Sequence, residues 1–250
     1  MNLINISGNT FYIRGGTNTG LYLFDDNSAL IIDPGLSGAR PNKIIKILNE
    51  RNIELKYIMG GKSNIFMDEK LKNRSPKDIS IDTVITEGIL SINNKKFEVF
   101  NFKGHTPGSI GVLTDDKVLF VGDLLVGEEM LSKYDFLFLQ DVEEYLKSLD
   151  KIQSLDFNYL VLAHGRKVLD KDSTMLLINK HRQAIYKYLN QIKENLKVPM
   201  NIDALLKKII KENEDFKSYL IMSESAKLTL AHETEYSLED IYQYADFILE

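Results

Sequence analysis

Short β-rich runs in two separate halves of the chain are the sequence feature that most constrains its fold. Each half contains several such runs, then a helix with clear apolar periodicity and one further strand. The predicted strands are Thr10–Arg14, Leu21–Phe24, Ala29–Ile32, Leu55–Met59, Thr83–Ile85, Phe97–Phe102, Ile110–Leu113, Val118–Val121 and Tyr159–Ala163. Two β-rich halves with helices on their outer faces favour a four-layer αββα sandwich of the α+β class over a doubly wound sheet, in which strands and helices alternate throughout.

Local signals place the helices and one hairpin turn. A helix is predicted from Pro41 to about Asn52, and a second helix begins after Asp141, whose side chain is a suitable N-cap. The apolar face of the second helix consists of Val142, Tyr145, Leu146, Leu149 and Ile152. Asn93-Asn94 is predicted to be the turn that joins the strands Thr83–Ile85 and Phe97–Phe102.

The character of the chain changes after Gly165. From Ser173 onward the sequence is predicted to be mostly helical, and Pro199 interrupts its apolar stripe. We therefore expect a domain over residues 1–199 and a helical C-terminal appendage over residues 200–250. An appendage of this kind could form the interface of a homo-oligomer.

Charge and composition exclude several classes of function. The chain has 31 Lys and Arg residues against 36 Asp and Glu residues, a net charge of −5 that argues against a nucleic-acid partner. Because the sequence lacks a signal-peptide pattern and any run of the roughly 20 apolar residues of a membrane span, we expect a cytoplasmic protein without a membrane partner. Cys is absent, so any metal must be bound by carboxylates and the four His residues.

Three candidate ligands stand just beyond the ends of predicted strands. His105, Asp123 and His164 each lie beside a glycine, which allows the backbone to turn sharply at that point. Residues that leave the same ends of neighbouring strands meet at one sheet edge, so we expect these side chains to converge. Two imidazoles and one carboxylate suit a divalent metal of the Zn, Fe or Mn type.

The contexts of these residues resemble signatures of the metallo-β-lactamase superfamily. The segments that carry the resemblance are Phe102-Lys103-Gly104-His105-Thr106-Pro107-Gly108-Ser109, Leu119-Phe120-Val121-Gly122-Asp123, Val161-Leu162-Ala163-His164-Gly165 and, after an early strand, Asp33-Pro34-Gly35. The resemblance implies an αββα sandwich with one or two metal ions, typically zinc, at the sheet edges. By the same resemblance His105 would bind the first metal, Asp123 would bridge two metals, and His164 would bind the second. Asp33 would orient the site from behind the ligands.

The sequence departs from the family pattern after the strand Leu55–Met59. The family's ligand motif HxHxDH is expected there, but the chain reads Gly60-Gly61-Lys62-Ser63-Asn64, and no His precedes His105. We therefore expect one zinc ion or none, where intact relatives hold two. The missing block should also leave apolar surface exposed near Tyr57 and Ile65.

Two interpretations of function remain open from the sequence. The first is a metal-dependent hydrolase with a degenerate site, acting on a small-molecule ester, thioester, lactone or phosphoester. The alternative is a catalytically inactive sandwich that serves as a binding or assembly module. The other two His residues are not assigned to the site, because His181 lies on the apolar face of a helix and His232 is expected at the surface.

Overall fold

Two β-sheets form the centre of the molecule. The computed structural model describes residues 2–35, 39–60, 83–133, 137, 139–198, 200, 204–205 and 208. Within these residues the strands form a five-stranded and a six-stranded sheet.

The first sheet is built from the N-terminal part of the chain. Its strands, in spatial and sequence order, are β1 (Leu3–Ser7), β2 (Thr10–Ile13), β3 (Thr19–Leu23), β4 (Ser28–Ile32) and β5 (Glu54–Met59). Neighbours are antiparallel except for β4 and β5, which are parallel and are joined through helix α1 (Ala39–Asn49).

The second sheet is built from the later part of the chain. Its strands are β6 (Gly88–Ile92), β7 (Lys95–Asn101), β8 (Ile110–Leu113), β9 (Val118–Phe120), β10 (Tyr159–Val161) and β11 (Val168–Asp170). Their spatial order is β11-β10-β9-β8-β7-β6, and only β9 and β10 are parallel. A 3-10 turn at Gly122–Leu124 follows β9, and the helices are α2 (Glu128–Lys133), α3 (Val142–Ser154) and α4 (Lys171–Asn195).

Three separate apolar clusters show that the molecule has four layers. The central cluster joins the two sheets and includes Tyr22 and Phe97, whose rings meet edge to face at 5.0 Å. A second cluster packs α1 against the outer face of the first sheet, and a third packs α3 and α4 against the outer face of the second. The αββα sandwich predicted from the sequence is therefore confirmed.

The local predictions for the two helices also hold, with shifted boundaries. Asp141 caps α3 by accepting a hydrogen bond from the Glu144 N–H at 2.8 Å, and the predicted apolar face is buried at Val142, Tyr145, Leu149 and Ile152. Helix α1 begins two residues before Pro41, at Ala39, and ends at Asn49 rather than Asn52.

One strand prediction was wrong, and two strands were missed. The partner of β7 is Gly88–Ile92 and not Thr83–Ile85, because the Asn93-Asn94 turn, with φ of 50° and 62°, pairs the residues directly flanking it. The sequence prediction did not include β1 or β11, which are outer strands of their sheets and have mixed polarity.

Some expectations fall on residues that the structure does not describe, among them Ile65, His232 and nearly all of the appendage over residues 200–250. Of the two residues near which apolar surface was expected to be exposed, Tyr57 is 37% exposed, and Ile65 lies outside the described residues. In the described part of the chain, no helix combines the length and the apolar character needed to cross a lipid bilayer.

Candidate functional site

The three candidate ligands leave the sheet at the same edge. Strands β7 and β9 are each antiparallel to β8, and β10 is parallel to β9, so β7, β9 and β10 run in one direction. His105 follows β7, Asp123 lies in the 3-10 turn after β9, and His164 follows β10. The carboxyl ends of these strands therefore deliver all three side chains to one place.

The distances confirm that the side chains converge. Nε2 of His164 lies 3.2 Å from Oδ1 of Asp123, and Nε2 of His105 lies 3.9 Å from Oδ2 of the same carboxylate. The carboxylate thus stands between two imidazoles, and each ring faces a different oxygen. The three side chains are 24% to 43% exposed, which makes the cluster accessible to solutes.

The hydrogen bond on the far side of His164 determines which ring nitrogen carries the proton. Nδ1 of His164 lies 2.7 Å from the carbonyl oxygen of Gly16, which can only accept, so Nδ1 must donate. In the neutral ring Nε2 then carries a lone pair, and this lone pair faces a carboxylate oxygen. Two acceptors at 3.2 Å require a proton or a cation between them.

A tight turn holds His105. The N–H of Thr106 donates to Oγ of Ser109 at 3.2 Å, and the N–H of Ser109 donates to the Thr106 carbonyl at 3.3 Å. Before the turn, Gly104 has φ of 122°, and a Cβ atom there would lie 2.4 Å from Cα of Tyr145. Only glycine allows the backbone to pass so close to α3 at this point.

Asp33 reaches the site from the other sheet. It follows β4 with φ of 52°, and its N–H donates to the Met59 carbonyl at 2.9 Å. A Cβ atom on Gly122 would lie 3.5 Å from Oδ2 of Asp33, and one on Gly60 would lie 3.5 Å from Oδ1. The carboxylate therefore stands beside the turn that carries Asp123. Its predicted role in orienting that turn stays a prediction.

Sequence reasoning missed Asn18, which supports His164. Asn18 is 4% exposed, and its side-chain amide donates to the carbonyls of Leu162 at 2.9 Å and Gly165 at 2.8 Å. Its Oδ1 accepts the N–H of Gly15 at 3.3 Å. One side chain therefore joins the Gly15–Gly16 loop to both sides of His164. The only sequence signal was a polar residue that follows two glycines just before a strand.

The donor atoms fit a cation better at one oxygen of Asp123 than at the other. Ligand atoms around tetrahedral zinc, with bonds of about 2.0–2.1 Å, lie roughly 3.3 Å apart, close to the 3.2 Å between His164 and Asp123. The 3.9 Å to His105 is wider, and no group of three His, Asp or Glu side chains in the described residues is arranged to hold a metal ion. The geometry thus fits a cation between His164 and Asp123, and the His105 imidazole lies on the other side of the Asp123 carboxylate.

Comparisons with known proteins agree with this fold. The model of the metallo-beta-lactamase superfamily matches residues 96–164, the stretch that contains His105, Asp123 and His164. Hydroxyacylglutathione hydrolase 1 of Vibrio vulnificus (strain YJ016) is 30% identical over an alignment of 189 residues that covers 69% of this chain and 71% of that protein.

Solved structures show the same fold at low sequence identity. A beta-lactamase domain protein from Burkholderia ambifaria superposes with a TM-score of 0.68 at 13% identity, covering 94% of this chain and 88% of that one. A metallo-beta-lactamase family protein from Thermus thermophilus gives a TM-score of 0.60 at 16% identity, covering 87% of this chain and 88% of that one.

The fold and the strand-end site define an αββα sandwich of the kind found in metal-dependent hydrolases. The chain belongs to the metallo-beta-lactamase superfamily.

Proposed function

We propose that this protein is a hydrolase with a reduced metal site, in which His164 and Asp123 hold a single zinc ion weakly. The observation that carries the proposal is the position of Nε2 of His164, which faces Oδ1 of Asp123 at 3.2 Å while Nδ1 donates to the Gly16 carbonyl. Histidines that bind a metal typically donate their other ring N–H to a backbone carbonyl or a carboxylate, as Nδ1 of His164 does here.

The substrate class follows from chemistry and from the relative. The relative's name identifies it as a hydrolase of hydroxyacylglutathione, in which an acyl group is carried as a thioester. We propose a small-molecule thioester or ester as the substrate, with lactones and phosphoesters as further members of the same class. Slow turnover is expected, since a catalytic zinc normally has three protein ligands and this position has two.

Each residue of the site would have a separate task. Bound zinc supplies a water of lowered pKa and polarises the substrate carbonyl. His164 keeps its Nε2 lone pair directed at the cation position, and Asp123 balances the positive charge there. His105, on the other side of the carboxylate and 24% exposed, can take up or release a proton at Nε2 at the solvent edge.

A second candidate is a binding or assembly module that keeps the fold without catalysis. The observation in its favour is that the chain has no His before His105, so the first-half ligands of the superfamily pattern have no counterpart. Under this interpretation a proton, and not a metal, would join His164 to Asp123, while the 3.9 Å from His105 to Asp123 is too long for a hydrogen bond.

Zinc titration of metal-free protein separates the two candidates. Calorimetry should show one weak zinc site in the wild type, and Asp123→Asn should lower the zinc affinity more than about 100-fold, because it removes a ligand charge. Asp115→Asn is the matched control, since Asp115 is exposed in the turn between β8 and β9 and should leave binding unchanged.

Turnover is measured with an S-acylglutathione and a nitrophenyl ester on the zinc-loaded protein. Slow hydrolysis that Asp123→Asn abolishes supports the hydrolase. Absence of both zinc binding and turnover in the wild type supports the module instead. Two tightly held zinc ions per chain would contradict both candidates as stated.

A further inference from the structure

A buried histidine–tyrosine pair lies behind the candidate site. His181 of α4 and Tyr145 of α3 are both 0% exposed, and Nδ1 of His181 is hydrogen-bonded to the Tyr145 hydroxyl at 2.5 Å. His181 is predicted from its place on an apolar helix face to be a core or interface residue, and the structure shows that it is buried in the core. The pair places polar atoms in an otherwise apolar core, where each of them needs a hydrogen-bond partner.

The other nitrogen of His181 faces the backbone of Val126. Nε2 lies 3.0 Å from the Val126 carbonyl oxygen and 3.3 Å from the Val126 nitrogen. Burial lowers the pKa of His181 to about 4, so the ring is neutral near pH 7 and carries one proton. Either tautomer satisfies both ring nitrogens. A protonated Nε2 donates to the Val126 carbonyl while Nδ1 accepts the Tyr145 O–H, and an unprotonated Nε2 accepts the Val126 N–H while Nδ1 donates to the Tyr145 hydroxyl.

Val126 connects His181 directly to two of the candidate ligands. It lies three residues after Asp123, in the segment that continues from the 3-10 turn. It also forms an isolated parallel bridge with His164, and the N–H of Gly127 donates to the His164 carbonyl at 3.1 Å. His181 therefore contacts the same Val126 segment that pairs with the backbone of His164.

Tyr145 connects the pair to the third candidate ligand. The Gly104 carbonyl accepts the N–H groups of Gln140 at 2.8 Å and Asp141 at 3.0 Å, just before α3 begins. Gly104 lies against the backbone of Tyr145, since a Cβ atom on Gly104 would be 2.4 Å from the Tyr145 Cα. Gly104 immediately precedes His105. Tyr145 thus contacts Gly104 through its backbone and His181 through its hydroxyl. It links the residue before His105 to the histidine that holds Val126.

We propose that His181, held by Tyr145, is a positioning residue for the His105–Asp123–His164 cluster. It fixes the Val126 backbone between Asp123 and His164, and through Tyr145 it ties that segment to α3, against which Gly104, the residue before His105, packs. The zinc readout of this inference rests on the proposed function, whereas the readout from the histidine rings does not.

Ring nitrogen NMR tests the inference, because the chain has only four His residues and their signals can be assigned by substitution. The wild type should show His164 protonated on Nδ1 and a neutral His181 that carries a proton on one ring nitrogen. His181→Leu removes both polar contacts and should shift or broaden the His164 ring signals. Its zinc affinity should fall about tenfold, the lower end of the effect of supporting residues around a metal.

Two further variants and a control keep the test decisive. His181→Gln, whose amide can still reach Val126, should restore the His164 signals and most of the zinc affinity, and Tyr145→Phe should give a smaller shift than His181→Leu. If His181→Leu does not fold, Tyr145→Phe and His181→Gln decide the question. Thr174→Val is the control, since it removes a buried 2.7 Å hydrogen bond of α4 to the Asp170 carbonyl, away from the site.

The inference is overturned if Tyr145→Phe and His181→Leu leave the His164 and His105 ring signals unchanged. It is also overturned if Thr174→Val shifts those signals equally, because loss of stability alone would then explain the effect. If the wild type binds no zinc, the proposed function fails, and the ring signals still decide whether His181 positions the cluster.

Discussion

Replacing Asn18 by alanine removes the side chain that joins the two loops around His164. The substitution breaks the hydrogen bonds to the Leu162 and Gly165 carbonyls, at 2.9 and 2.8 Å, and the weaker bond from the Gly15 N–H at 3.3 Å. The backbone bond from the Asn18 N–H to the Ala163 carbonyl, at 2.7 Å, does not depend on the side chain and should remain.

The expected cost follows from how these groups are buried. Each of the two short bonds contributes about 1 kcal/mol net, and a buried carbonyl left without a donor costs about 1–3 kcal/mol more. Leu162 is 3% exposed, so its carbonyl has little access to replacement water. Asn18→Ala should therefore lower the free energy of unfolding by about 3–5 kcal/mol.

Urea denaturation followed by far-UV circular dichroism measures this change, since the chain has no Trp for fluorescence. Asn158→Ala is the control, because Asn158 is exposed in the loop before β10 and its loss should change stability by less than about 0.5 kcal/mol. In Asn18→Ala, Nδ1 of His164 should also lose its uniform protonation as the Gly16 carbonyl moves. A decrease below about 1 kcal/mol with an unchanged His164 ring would refute the reasoning.

Two other predictions concern the backbone at His105 and the buried His181. Gly104→Ala places a Cβ 2.4 Å from the Tyr145 Cα at a φ of 122°, and should lower the free energy of unfolding by about 3 kcal/mol or more, whereas Gly16→Ala, with nothing within 4 Å, should be tolerated. Urea titrations that find the two variants equally stable would contradict this. For His181, the folded pKa of about 4 lies below the ordinary 6.5, so the unfolded chain binds the extra proton and stability falls as the pH drops from about 6.5 to 4. The loss should reach about 3 kcal/mol. It should be absent from His181→Gln, and parallel pH profiles of the two proteins would show that His181 does not titrate as described.

The sequence by itself determined the strand-and-helix pattern and the positions of the candidate ligands. Alternating and helical periodicities, the Asp141 cap and the Asn93-Asn94 turn depend on residues close together in the chain, where physical chemistry acts locally. The glycines beside His105, Asp123 and His164 marked sharp turns at strand ends for the same reason. These signals were sufficient to predict an αββα sandwich and a common edge for the three candidate ligands.

Only the tertiary structure decided what supports those ligands. The Gly16 carbonyl that orients His164 lies 148 residues away in sequence, and Asn18 lies 144 residues from Leu162. His181 reaches Val126 across 55 residues by packing α4 against the turn after β9. Such partners meet only when the sheets and helices pack on one another. A periodicity or short motif describes residues close together in the chain, so it does not predict contacts between residues this far apart in sequence.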